Sequence, residues 1–210
     1  MSRFEEVSTL LQRGKAKDIA ALVEQLLKED VSPKDILNEG LISGMDVIGR
    51  KFKNNEIFVP EVLIAARAMN AALAVLKPAL AATGVEPIGK AVICTVKGDL
   101  HDIGKNLVRM MLEGAGIEVI DLGVDVSSEK VVDAVNEHNP DLVCLSALLT
   151  TTMMAQKDTI AALVNAGVRD KVKVLVGGAP VTQAFADEIG ADGYAPDAAS
   201  AAQVAKSFLS

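Results

Sequence analysis

The chain has 210 residues, a formal net charge of −7, and a composition that is 50% hydrophobic and 23% charged. That is enough apolar material for one large or two small cores, and it excludes a disordered chain. Aromatics make up only 3%, with no Trp and one Tyr, so a base-stacking nucleic-acid surface is not expected, and the charge gives no attraction to DNA, RNA or an anionic membrane.

Further exclusions follow from particular stretches. The start, Met-Ser-Arg-Phe-Glu-Glu, is not a signal peptide, and no unbroken apolar run reaches the ~18 residues of a membrane span. Cys94 and Cys144 are isolated, with no Cys-x-x-Cys, and read as buried strand thiols of a cytoplasmic protein, not as a zinc site.

Residues 1 to about 82 read as four helices. Phe4, Val7, Leu10 and Leu11 fall at helical spacing within Arg3 to Arg13, and Ile19, Leu22, Val23, Leu26 and Leu27 repeat the pattern from Asp18. Ser32-Pro33-Lys34-Asp35 offers an N-cap, a proline at the first helical position and a first-turn carboxylate, and opens a third helix that Asn54-Asn55 stops. Pro60-Glu61 starts a fourth, through Val62, Leu63, Ala66, Met69, Ala72, Leu73 and Leu76. Short connections predict an antiparallel bundle. Ala81 to Ile88, with Gly and Pro and no periodicity, reads as a linker, which divides the chain into 1–88 and 89–210.

From Gly89 short strands alternate with helices. Strands are predicted near 90–96, 117–122, 141–146, 172–177 and 192–195, and helices near 103–115, 128–138, 152–166, 180–189 and 197–209. This alternation predicts a parallel α/β sheet of flavodoxin-like (Rossmann-like) order 2-1-3-4-5, with ligands at the carboxyl ends of strands 1 and 3.

The loop after strand 1, Val96-Lys97-Gly98-Asp99-Leu100-His101-Asp102-Ile103-Gly104-Lys105-Asn106, holds one of the two histidines. It is not a P-loop: five residues separate Gly98 from Gly104, and Asn106 stands where Ser or Thr should bind magnesium. Gly-x-Gly-x-x-Gly is absent too. Asp99 two residues before His101 suits a metal-ligating imidazole that passes its other N–H to a carboxylate. The alternative is that Asp99 or Asp102 caps the next helix and His101 is a plain surface residue. Strand 3 ends in a hydroxyl run, Ser146 to Thr152, which either lines the crevice or caps a helix. Gly177-Gly178 after strand 4 either lets a ligand approach the backbone or makes a tight turn. Ser146 holds the place of a receiver domain's acceptor Asp, so phosphoacceptance is rejected. His138 reads as a C-terminal helix residue, and Met45, Met69, Met110, Met111, Met153 and Met154 as core.

Asp99-x-His101-x-x-Gly104, Ser146-x-Leu148 and Gly177-Gly178, in this order, resemble the signature of cobalamin-binding proteins. That family includes the cobalamin module of methionine synthase and the corrinoid methyl carriers of anaerobic methyltransferase systems. Val96-Lys97-Gly98-Asp99, Asp121-Leu122-Gly123-Val124, Ala191-Asp192-Gly193-Tyr194-Ala195 and, in the helical part, Phe58-Val59-Pro60-Glu61 extend the likeness over about 1–205.

The resemblance implies a cobalamin or related corrinoid cycling between Co(I) and Co(III). His101 is then the lower axial ligand, Asp99 its hydrogen-bond partner and Thr152 the hydroxyl completing the relay. The stretch from Gly98 through Leu100, Asp102 and Ile103 to Gly104, with Leu148, contacts the cofactor. Ser146 and Thr150 hold the nucleotide tail, Gly177 and Gly178 leave it room, Gly193 and Tyr194 line its far end, and Phe58 belongs to a cap over the upper cobalt face. The function implied is a methyl carrier, inactive alone. It works between a substrate-specific methyltransferase (methoxyarene, methanol, methylamine or betaine donor) and an acceptor methyltransferase using tetrahydrofolate or coenzyme M, with a reductive activase as a third partner. A cobalamin-based sensor would need an output element such as a basic recognition helix, and a small mutase subunit would lack the helical cap.

Overall fold

The computed structural model describes residues 2–210, which fall into two compact units. The first comprises residues up to Pro87 with Gly114–Gly116, and the second Ile88–Glu113 with Ile117–Ser210.

In the helical unit α1 spans Arg3–Gln12, capped by Ser2, whose hydroxyl accepts from the Glu5 N–H while Glu5 accepts from the Ser2 backbone. Helix α2 is Ala16–Lys28 and buries Ile19, Val23 and Leu26. The third helical run is composite: α3 (Pro33–Asp35, capped by Ser32) passes into a π-helical stretch, Ile36–Ile42, and on into α4, Ser43–Lys53. Hydrophobic spacing marks this run as helical but is too coarse to separate a π from an α turn. Asn54 ends it and Asn55 turns left-handed, as the sequence implied.

Helix α5 runs Val59–Ala82 and so takes Ala81 and Ala82 out of the expected linker. Pro78 lies inside it and donates no N–H, but Leu76 and Leu80 on either side are buried, and that packing carries the helix past the proline. Although α5 is long and apolar enough to cross a membrane, it buries Ala65, Ala66, Ala68, Met69 and Ala72, small side chains that suit its close packing on α2.

The second unit is a parallel sheet, β1 (Lys90–Thr95), β2 (Glu118–Asp121), β3 (Leu142–Ser146), β4 (Lys173–Gly177) and β5 (Gly193–Tyr194), in the order β2-β1-β3-β4-β5. Helices α6 (Ile103–Gly114), α7 (Ser128–His138), α8 (Met154–Asn165), α9 (Gln183–Ile189) and α10 (Ala198–Phe208) alternate with the strands. The architecture is thus the expected one: an N-terminal helical bundle followed by a flavodoxin-like α/β unit. The strands are near-continuous apolar runs because both faces are covered. Cys94, Val96, Val143, Leu145, Ala147, Val174 and Val176 point to one face, where they pack with Val131, Val135, Ile160 and Leu163. Cys94 and Cys144 are buried free thiols, and burial pushes each up to about 12.

His138 ends α7, before a left-handed Asn139. Met45, Met69 and Met111 are core. Met154, expected there too, is instead 47% exposed on the first turn of α8, at the sheet's C-terminal edge.

Candidate functional site

The site is organised by one carboxylate. Beyond β1 the chain enters a loop in which Gly98 takes φ +82°, and the side chain of Asp99 turns fully inward although Leu100 and His101 beside it are exposed. Four donors converge on it. Oδ1 accepts from the His101 backbone N–H (3.0 Å) and from His101 Nδ1 (2.7 Å). Oδ2 accepts from the Leu148 backbone N–H (2.7 Å) and the Thr152 hydroxyl (2.7 Å). Burial pushes the Asp99 carboxyl up. The Thr152 hydroxyl, the two backbone N–H groups and the imidazole outweigh that and hold it well below the usual carboxylate range.

A proton assignment follows. An ionised carboxylate only accepts, so the proton of a neutral His101 sits on Nδ1 and the Nε2 lone pair is free. Nε2 has no partner among the described residues, and the side chain is 51% exposed. Thr152 has one hydroxyl proton. Asp99 at 2.7 Å takes it in preference to the Leu149 carbonyl at 3.1 Å, because the carboxylate is charged.

Helix capping does not account for Asp99 or Thr152. Asp99 has both oxygens occupied, Asp102 accepts from the Asn106 side chain, and α8 begins at a Met153 cap with no side-chain bond, so Thr152 is not its cap.

Around the imidazole lie exposed aliphatic groups: Leu100 and Ile103 at 73%, Leu148 and Leu149 at 42%. A Cβ at Gly104 would meet nothing within 4 Å. Apolar side chains left in water around one open nitrogen mark a binding surface. Among the described residues no group of three or more His, Cys, Asp or Glu is placed to hold a metal. A lone imidazole retains a metal only if that metal arrives with its other positions filled. One nitrogen in an aliphatic surround therefore fits a metallo-macrocycle that lies flat.

Register brings Thr95, Ser146 and Gly177 into one row at the C-terminal edge, on the face away from the apolar cluster above. The Thr95 hydroxyl donates to the His101 carbonyl at 2.8 Å, while that of Ser146 has no partner among the described residues. The two glycines differ. Gly178, at φ +132°, is required by the protein's own backbone, since a Cβ there would stand 1.7 Å from the Ala147 carbonyl oxygen; at Gly177 the crowding is milder, a Cβ coming 3.0 Å from the Ala195 carbonyl oxygen, and the missing side chain leaves the row low. Gly193 is covered by Phe208 and Val204 of α10, and Tyr194 packs on the opposite, apolar face, so neither joins the row. Thr150 is exposed in the turn before α8. Phe58, 63% exposed, precedes α5 in the helical unit and donates its N–H to Glu61.

Two acidic groups at the end of β2 and in the turn after it also take part; the sequence offered Asp121 only within the Asp121-Leu122-Gly123-Val124 likeness and did not single out Asp125. Asp121 accepts from Lys105, which is almost wholly buried, and Asp125 accepts from the Gly98 N–H. A lysine amid the apolar pattern of α6 was the available signal for the first.

Comparison with known proteins agrees with this chemistry. A B12 binding domain model matches residues 89–203, and a second B12 binding domain model matches residues 3–77. A corrinoid protein of Desulfitobacterium hafniense is 42% identical over 212 residues, covering 100% of this chain and 98% of that one. A dimethylamine corrinoid protein of Methanosarcina barkeri is 45% identical over 208 residues, covering 98% and 97%. The crystal structure of a methanol:cobalamin methyltransferase complex from Methanosarcina barkeri superposes with a TM-score of 0.88 at 31% identity, covering 99% of this chain and 79% of that one. The chain therefore belongs to the B12-binding family of corrinoid proteins.

Proposed function

We propose that this protein carries a methyl group on a corrinoid cobalt held from below by His101 Nε2, receiving it from a substrate-specific methyltransferase and delivering it to a second one. A methyl-carrying corrinoid protein working with methyltransferases is the family's character, and a corrinoid is its cofactor. The observation that supports His101 as ligand is the imidazole whose Nδ1 is tied to a buried, ionised Asp99 while Nε2 is open among exposed aliphatic groups. When bound, the corrinoid supplies a cobalt that takes up a methyl group in its lowest oxidation state and gives it up from its highest.

The chain's own residues then have distinct tasks. Asp99 fixes the tautomer and plane of His101 and makes Nε2 a better donor. Thr152 donates to Asp99, and how firmly it does so sets how strongly the carboxylate draws on the Nδ1 proton. Leu100, Ile103 and Leu148 give the macrocycle an apolar seat and keep water from beneath it. The Thr95–Ser146–Gly177 row offers the nucleotide tail a low floor, with the Ser146 hydroxyl available to it. Tyr194 lies outside this arrangement. In the helical unit, Phe58, Leu63 and Ile64 are exposed at the start of α5.

Of the donors, methylamines come first, because a dimethylamine corrinoid protein is 45% identical against 31% for the methanol complex. Tetrahydrofolate or coenzyme M would be the acceptor's substrate, and a reductive activase would restore oxidised cobalt. The test is to reconstitute with cobalamin and record the visible spectrum of the native protein and of His101→Ala. The variant should lose the histidine-ligated bands, and identical spectra would remove His101 as ligand. Methyl transfer is then assayed with the methylamine, methanol, methoxyarene and betaine partner enzymes in turn; transfer from none of them overturns the carrier reading.

A further inference from the structure

We propose that the turn after β2, residues 121–126, is a clasp that sets the position of the His101 imidazole, with Asp125 as its positioning residue. This rests on the reading of His101 as the axial ligand, but the contacts that carry it are visible without a cofactor.

The turn holds the histidine loop on both sides of His101. Before the histidine, the Gly98 N–H donates to Asp125 Oδ1 at 2.8 Å, and the Asp125 N–H donates back to the Asp99 carbonyl at 2.9 Å. This two-way pairing spans the residue whose carboxylate orients the imidazole. It continues a short parallel ladder beyond the end of β1: Thr95 N–H to the Gly123 carbonyl at 3.0 Å, Val126 N–H to the Thr95 carbonyl at 3.1 Å, and a bridge between Val96 and Val126. Lys97 adds its ammonium 3.5 Å from the same Oδ1. After the histidine, Lys105 on the first turn of α6 reaches Asp121 Oδ2 at 2.5 Å, and Asp121 Oδ1 accepts from the Gly123 N–H at 2.9 Å.

Asp125 is placed for this at a cost. Its φ is +51°, a left-handed conformation that L-residues other than Asn and Asp rarely take, and its side chain is 44% exposed. It fills no core. What the conformation achieves is to aim one carboxylate oxygen and one backbone N–H at adjacent residues, Gly98 and Asp99. The Asp99 carboxylate grows from the backbone that Asp125 holds. A rotation of 97–99 would therefore swing Oδ1 away from His101 Nδ1, and the clasp prevents that rotation.

Two substitutions separate the hydrogen bond from the backbone conformation. Asp125→Asn keeps an acceptor and tolerates positive φ. Asp125→Gly accepts the same φ with ease and removes the acceptor. Because the side chain belongs to no core, both variants should keep the native circular dichroism. In 15N-labelled protein without cofactor, hydrogen exchange at the Gly98 amide should speed up about ten-fold in Asp125→Gly and stay near native in Asp125→Asn. The His101 ring nitrogens should move toward tautomer-averaged shifts in the glycine variant alone. After loading with cobalamin, the glycine variant should show a larger histidine-off fraction. Native Gly98 protection and native His101 shifts in Asp125→Gly would overturn the clasp. An unchanged spectrum in His101→Ala would instead overturn the ligand reading, and the cofactor-free measurements would still decide whether Asp125 positions the ring.

Discussion

Replacing Asp99 by Asn removes one charge and alters almost no volume, yet the geometry makes it a severe change. Each oxygen of the carboxylate receives one backbone N–H, Oδ1 from His101 and Oδ2 from Leu148, and a backbone donor cannot turn round. Thr152 can rotate its hydroxyl and His101 can shift its proton, so those two partners can adapt. An amide at position 99 has one carbonyl. Whichever way it faces, its NH2 meets a buried backbone N–H head-on. One unsatisfied buried donor costs ~1–3 kcal/mol, and loss of charge assistance at the other bonds brings the total to about 3–5 kcal/mol. For a unit of this size that lowers the melting temperature by roughly 10–20 °C. The assay is thermal unfolding at neutral pH of the cofactor-free protein, followed by circular dichroism. A variant that melts within about 3 °C of native would refute the idea that this carboxylate ties the loop after β1 to the loop after β3.

Other expectations follow from the same geometry. Thr152→Val removes one charge-assisted donor while the Leu148 N–H still reaches Oδ2, so it should cost about 1.5–3 kcal/mol, and Thr152→Ser, which keeps the hydroxyl, under ~1; in loaded protein the valine variant alone should shift the potential for reduction to Co(I), and equal midpoints for all three proteins would take Thr152 out of the relay. Gly178→Ala should lower the urea midpoint of the α/β unit by the equivalent of about 3 kcal/mol or more, since φ is +132° and the new Cβ would lie 1.7 Å from the Ala147 oxygen; a native midpoint would rule that contact out. Burial raises the Asp192 carboxyl, but the Val174 N–H, Arg169 and Lys173 hold it below its ordinary value. Its stabilisation is therefore full above the unfolded pKa of ~3.9 and fades as pH falls through the lower folded value, so the deficit of Asp192→Asn should be constant from about pH 5 to 7 and close below about pH 4 in urea titrations.

The sheet order was legible because strand 1 is followed by polar Gly98 and Asp99, strand 4 by Gly177-Gly178, and each strand by a run at helical spacing. The Asp99–His101 pair was legible because two residues of one loop carry it. Thr152 rested on resemblance, and a contact 53 residues away in sequence has no local trace. The face that Tyr194 takes was not legible, because a two-residue edge strand gives too little alternation to tell. Ala81 and Ala82 were read as linker because the stretch they open, with Gly84 and Pro87, has no periodicity, while in the structure α5 continues past Pro78 on the packing of Leu76 and Leu80. Asp125 was invisible for another reason. Its role depends on a backbone angle and on the approach of two loops, and neither is written in residue type.

The contacts around Asp99 also bear on the proposal that His101 alone ligates a metal here. Three of the four donors, the Thr152 hydroxyl and two backbone N–H groups, are independent of the imidazole's protonation. The carboxylate is thus held ionised and in place by the fold itself, and of its two adaptable partners, the Thr152 hydroxyl and the imidazole, only the imidazole has a second nitrogen open to a ligand. Any change in demand at Nε2, whether strong ligation or none, passes through one ring to one hydrogen bond at Nδ1, and the rest of the site need not move. If His101 ligates as proposed, such a site would tolerate a metal whose coordination changes, whereas a cage of several side chains would resist every change.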